Sequence, residues 1–197
     1  MSQVVTLSKG DRVSLSKLDG KPLSIISMGL GWDAAKSKGF LGFGSQAKEI
    51  DLDASCLVLD ENKQLIDTVW FRQKFSACGS IRHGGDNLTG AGDGDDETII
   101  VDLNRLPPRA KYLVFTVNSF RNQTFNEVEN AYCSIYDLEG GRKTKLTYLN
   151  ISEKGNNTGM VMAAIERVEG GWKVNALAKQ TPGNVVTDMV QAIQSAL

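Results

Sequence analysis

Histidine is nearly absent from this chain: His83 is the only one in 197 residues. Any Ser-His-Asp or Cys-His catalytic arrangement must run through that one imidazole, and no G-x-S-x-G elbow accompanies it. Cysteine is scarce too. Cys56, Cys78 and Cys133 are odd in number, widely spaced and without a C-x-x-C pair, which argues against a disulfide framework. A zinc site drawn from the three thiols and His83 would lack the close ligand pairs that such sites use. Basic excess is missing as well. The formal net charge is -1, which argues against nucleic acid as a partner, and no basic amphipathic segment points to direct insertion into a membrane. Met1-Ser2-Gln3-Val4-Val5 lacks the charged start and apolar run of a secretory signal. No apolar stretch reaches the roughly 18 residues of a membrane helix. The expectation is a cytoplasmic protein with reduced thiols, peripheral to the inner membrane only through its partners.

What is present suffices for one folded domain over residues 1–197. Apolar residues make up 41% and charged residues 23%, enough for a core and too balanced for disorder. Strands are expected at 23–30, 50–59, 65–71, 98–103, 112–118, 131–137, 145–151, 160–168 and 172–176, several of them rich in Val, Ile, Tyr and Phe. Asp60-Glu61-Asn62-Lys63 and Glu169-Gly170-Gly171 read as hairpin turns. Many short strands at regular spacing predict an all-β fold, a two-sheet antiparallel β-sandwich. After Pro182-Gly183-Asn184, Thr187 and Asp188 offer capping oxygens, and Val186, Met189, Val190, Ile193 and Leu197 stand at helical spacing, so a short C-terminal helix should close the sandwich. Residues 122–129 predict a helical turn with Phe125 and Val128 inward.

The chemistry concentrates at residues 83–97. Asp86, Asp93, Asp95, Asp96 and Glu97 stand among glycines, with no Lys or Arg between Arg82 and Arg105. Carboxylates held about 4 Å apart at an effective dielectric near 20 repel by about 4 kcal/mol, so a tight loop of them calls for cations. Calcium takes about 6–8 oxygens from carboxylates, amides and backbone carbonyls. The loop offers all three kinds, with Asn87 and the Thr89 hydroxyl beside its acids, and its flexibility favours calcium over magnesium. It is not an EF-hand: counted from Asp93, position 6 is Thr98 and position 12 is Asn104. Asp51 and Asp53, two apart in a strand, share one face while Ile50, Leu52 and Ala54 take the other. Asp33 ends a further strand. Gathered at one end of the sandwich, these acids would hold two calcium ions.

These same segments carry a resemblance. Leu7-Ser8-Lys9-Gly10, Val13-Ser14-Leu15-Ser16, Gly29-Leu30-Gly31-Trp32-Asp33, Asp51-Leu52-Asp53-Ala54-Ser55, the run from His83 to Glu97, and Asn130-Ala131-Tyr132 occur in order along nearly the whole chain. Together they resemble the TerD family of tellurite-resistance and stress proteins. The resemblance implies a calcium-binding β-sandwich that serves resistance to tellurite and other stresses. Its partners would be other tellurite-resistance proteins, including a membrane-embedded one. By position it implies ion ligands at Asp33, Asp51, Asp53, Asp86, Asn87, Thr89, Asp93, Asp95, Asp96 and Glu97. Shorter members run almost directly from Gly-Trp-Asp to Asp-Leu-Asp. The insertion here at 34–48, with Phe40, Leu41 and Phe43, looks like the TerZ-type branch and is expected to meet a complex component.

A non-enzymatic scaffold is the function these features favour. The alternative is a metal-dependent nucleotide- or phosphate-binding protein or hydrolase. Against it, neither Gly39–Gly44 nor Gly90–Gly94 is a G-x-x-x-x-G-K-[ST] loop, and an acidic loop repels phosphate unless metal bridges the two. His83 is expected as a loop residue beside the acids.

Overall fold

In the computed structural model, residues 4–17, 20–34, 50–85 and 94–197 are described. Among these residues, twelve strands form two six-stranded sheets. They are β1 (Val5–Leu7), β2 (Arg12–Leu15), β3 (Ile25–Ala34), β4 (Leu52–Leu59), β5 (Leu65–Val69) and β6 (Ile81–His83), then β7 (Glu97–Asp102), β8 (Tyr112–Ser119), β9 (Val128–Asp137), β10 (Thr144–Asn150), β11 (Gly159–Val168) and β12 (Gly171–Thr181). The first sheet runs β1-β10-β9-β3-β7-β6 and the second β2-β12-β11-β8-β4-β5. Pairing is antiparallel except between β1 and β10, which is parallel. The predicted sandwich is therefore correct, with one parallel edge pair added.

Period-2 alternation builds the core. Ile26, Met28, Leu30 and Trp32 of β3 point inward with Ile99 and Val101 of β7, and meet Leu52, Ala54, Cys56 and Val58 of β4 in one buried cluster. Alternate residues of the second sheet point the other way. Leu57, Leu59, Val114, Val161 and Ala164 form a second apolar layer, covered by Val186, Met189 and Ile193. The closing segment is a 3-10 turn (Val186–Met189) running into α1 (Val190–Ala196). Asp188 Oδ2 accepts the amides of Asn184 at 3.2 Å and Val185 at 3.3 Å, which fixes the turn's start.

The turn at Phe125–Glu127 also forms, with Phe125 and Val128 buried. Three short strands, β1, β2 and β6, were not expected. Each has three or four residues and is defined by a neighbour's edge rather than by a pattern of its own. No helix among the described residues is long and apolar enough to cross a membrane.

Candidate metal centre at the acidic end

Register brings the described acids to one end of the sandwich. Leu30 of β3 faces Glu97 of β7, and Leu52 of β4 faces Ser119 of β8. Trp32 ties the two sheets there, its indole Nε1 donating to Ile50 O at 3.0 Å. The acids nevertheless point in different directions, and among the described residues no three His, Cys, Asp or Glu side chains converge on one point.

Asp95 lies on the outer face of the first sheet, its side chain 2% exposed. Tyr132 and Tyr136 hydroxyls donate to its Oδ1 at 3.0 and 2.9 Å, and Lys143 Nζ to its Oδ2 at 2.6 Å. The Gly29-Leu30-Gly31 pattern makes room for this. A Cβ at Gly29 would strike the Asp95 carboxylate, and one at Gly31 would lie 2.5 Å from the Tyr132 ring. Burial, then the charge of Asp95, then the hydrogen bond to it push both phenols above their ordinary range. A phenol whose folded pKa is raised adds stability that is whole below about pH 10 and is lost as pH rises beyond that. Ultraviolet titration should therefore show two of the four tyrosines ionising late. In Asp95→Ala both should ionise earlier, yet still above a free phenol, because burial remains. Unchanged late ionisation in that variant would show that Asp95 contributes nothing to the shift.

Asp33 and Asp96 sit at the mouth of the acidic loop. Asp96 Oδ2 accepts the Trp32 amide at 2.9 Å, while Asp33 Oδ2 accepts Asn130 Nδ2 at 2.6 Å. Asn130 makes that contact from a left-handed backbone, φ 50°, which Asn tolerates better than most residues. The Asp96 carboxyl is pushed up first by burial and further by the charges of Asp33 and Asp95, against the pull of the Trp32 amide.

Glu97 points between the sheets. β5 reaches along β4 only to Cys56, and Glu97 takes the strand's place beyond it. Its Oε2 accepts Ala54 N–H at 2.6 Å, while His83 Nε2 meets Ala54 O at 3.1 Å and Glu97 Oε2 at 3.5 Å. Gly85 N–H donates to His83 Nδ1 at 3.2 Å, which puts the ring proton on Nε2. His83 is thus a buried strand residue, 3% exposed, and not the loop residue that Gly84-Gly85 suggested.

Asp51 and Asp53 lie opposite the Ile50, Leu52 and Ala54 face, as expected, but are only 4% exposed each. Arg121 Nε meets Asp51 Oδ2 at 3.1 Å, and Asn118 Nδ2 donates to Asp53 Oδ2 at 3.2 Å and to Asn184 O at 2.6 Å. That second bond fixes the amide's orientation and aims Asn118 Oδ1 away. Asn118 Oδ1 is buried and has no hydrogen-bond partner among the described residues, as are Ser55 Oγ and Thr116 Oγ1 on the neighbouring cross-strand pair. An orphaned acceptor beside a carboxylate suits a hard cation.

Asp86, Asn87, Thr89 and Asp93 lie outside the described residues, as do Phe40, Leu41 and Phe43. Nothing in the sequence pointed to Asn118, Arg121 or Lys143. The tyrosine pair was findable by parity, since positions 132 and 136 share a strand face, Tyr132 across from Gly31 and Tyr136 across from Ser27. Of the thiols, Cys56 and Cys133 are buried and free; burial raises both, Cys133 to about 12. Cys78 is exposed. Its slight burial works upward, but the hydroxyls of Ser76 and Ser80 outweigh it and lower its pKa.

The fold and this end define a class: a two-sheet sandwich with its acids gathered at one end. The TerD domain model matches residues 3–192, and the chain belongs to the TerD family. It is 47% identical to tellurium resistance protein TerZ of Serratia marcescens, over 98% of this chain and 99% of that one. It is 35% identical to stress response protein SCP2 of Bacillus subtilis (strain 168), over 94% and 97%. Among solved structures, a homologue of telluride resistance protein (TerD) from Streptomyces coelicolor A3(2) shares the fold at TM-score 0.66 and 19% identity, covering 85% of this chain and 95% of that one. Membership places the chain among tellurium-resistance and stress-response proteins.

Proposed function

We propose that this chain is a non-enzymatic calcium-binding protein of the tellurium-resistance and stress response, serving as a scaffold within a membrane-linked complex of other tellurite-resistance proteins. The observation that carries the reading is Asp96. Its carboxyl is half-buried and raised first by that burial and then by the charges of Asp33 and Asp95, next to a stretch of sequence that adds further acids. Asp33 and Asp96 would hold one ion together with Asp86, Asn87, Thr89 and Asp93. Asp51 and Asp53, beside the orphaned Asn118 Oδ1, would hold the second. The oxygens of Asp95 and Glu97 already receive protein donors, so these two would brace the site. A bound divalent cation supplies positive charge that the crowded carboxylates lack.

Thermal melting with calcium against chelator tests this. With calcium at a hundred times its Kd, each site should add about 2.7 kcal/mol, roughly 5–10 °C for a chain of this length. Asp96→Asn keeps an oxygen for the Trp32 amide and should leave the chelated protein at least as stable, while abolishing one site's gain. Asp53→Asn tests the second site in the same way. Melting curves indifferent to calcium, with magnesium equally inert, would sink the proposal.

A further inference from the structure

The two most exposed phenylalanines among the described residues are Phe75, at 62%, and Phe120, at 44%. Neither position is explained by the fold or by the acidic end. Phe120 leaves β8 at that end and meets Phe71 edge-on, ring centroids 5.8 Å apart. Phe71 and Arg72 form the tip of a tight hairpin, closed by Trp70 N–H to Gln73 O at 3.1 Å and Gln73 N–H to Trp70 O at 3.0 Å. Trp70 roots the hairpin against the apolar layer under α1. The Arg72 guanidinium lies 5.4 Å from the Trp70 ring centroid and 5.3 Å from that of Phe71. Lys74 follows, exposed, and then Phe75. Among the described residues neither Arg72 nor Lys74 pairs with a carboxylate.

Partly exposed Trp70 and Phe71, exposed Phe75 and the exposed cations Arg72 and Lys74 thus share one short segment, Trp70-Phe71-Arg72-Gln73-Lys74-Phe75. We propose that this hairpin, with Phe120, docks the protein directly onto an anionic lipid bilayer. Aromatic rings settle at the headgroup level, and each nearby cation gains from the negative surface potential. A turn apex favours a bilayer over a peptide, because it projects and forms no groove to enclose a strand or helix. The sequence predicted membrane contact only through partners, since no basic amphipathic helix is present. The surface arises instead from a hairpin tip and a second segment 49 positions away, Phe71 to Phe120.

Co-sedimentation with phosphatidylcholine vesicles, with and without about a third phosphatidylglycerol, tests the proposal; the proportion is set to give a negative surface potential. All samples contain chelator, which keeps the result separate from the calcium reading. Binding to the anionic vesicles is expected, weakening as salt rises. Arg72→Ala with Lys74→Ala should weaken it by roughly twentyfold, about fivefold for each cation. Phe71→Ser with Phe120→Ser should weaken it at least about tenfold. Brominated lipid should quench a fluorescence component that Trp70→Phe removes, whereas Trp32 and Trp172 are 3% and 8% exposed. Melting temperatures of the variants should match the parent. The proposal is overturned by absence of binding at low salt, by equal binding to neutral vesicles, or by binding that ignores both double variants. It is equally overturned if sedimentation velocity shows that the variants abolish self-association or peptide binding and leave vesicle binding intact.

Discussion

Glu97→Ala should lower stability by roughly 2–4 kcal/mol, the scale for leaving a buried donor without its charged acceptor. In a chain of this length that is roughly 5–15 °C in Tm. The carboxylate accepts Ala54 N–H at 2.6 Å and stands 3.5 Å from His83 Nε2, with both side chains fully buried. Alanine would leave a β4 amide without its acceptor in a place where water has no easy access. The loss should also be specific in kind. Glu97→Gln keeps an oxygen for Ala54 N–H and should recover at least half of the stability. Calcium should not rescue Glu97→Ala if its role is bracing, because the lost bond lies inside the sandwich. A variant melting within about 2 °C of the parent would mean that β4 is closed by other contacts; that difference corresponds to under about 1 kcal/mol.

How this end works explains what could be read in advance. The long strands were legible because each carries enough alternating or continuous apolar residues to specify a buried face. β6 was not, because Ile81-Arg82-His83 is too short to show a period and runs into Gly84-Gly85, which reads as loop. Its place is set by β7, through Ile81↔Val101 and His83↔Ile99. The same limit applies to the acids. Parity told correctly that Asp51 and Asp53 share a face. It could not tell that this face is the outer one of the second sheet, roofed by residues near Asn184, while Asp95 takes the outer face of the first. That division depends on which sheet each strand joins, and long-range pairing decides it. So a run that reads as one anionic cluster becomes a brace at Asp95, a ladder extension at Glu97 and, at Asp96, a half-buried carboxylate that accepts the Trp32 amide. Three successive residues serve three purposes because the chain turns there from loop to strand.

The family-bearing motifs acquire physical content in the same way. Gly29 and Gly31 sit opposite the side chains they accommodate, Asn130 holds Asp33, and Tyr132 holds Asp95. Residues far apart in sequence thus form one support around Asp33 and Asp95, and the resemblance follows that support as much as the acids themselves.

Coupling between Gly29 and Asp95 is the sharpest test of that support. Gly29→Ala should cost roughly 2–4 kcal/mol: overpacking accounts for about 1–3, and the remainder is lost as the carboxylate is driven from Tyr132, Tyr136 and Lys143. Asp95→Ala alone should cost about as much, since it strips three donors of their acceptor. In the double variant the three atoms nearest the new methyl group, all of the Asp95 carboxylate, are gone. Gly29→Ala should then cost under about 1 kcal/mol, little beyond the change in backbone freedom, which favours alanine. The cycle should return a coupling of at least about 1–2 kcal/mol, well above the few tenths expected of independent sites. Denaturant melts of the four proteins measure it directly. Strict additivity would mean that Gly29 is required for its backbone alone, and that the carboxylate does not occupy the face of β3 that the glycine leaves bare.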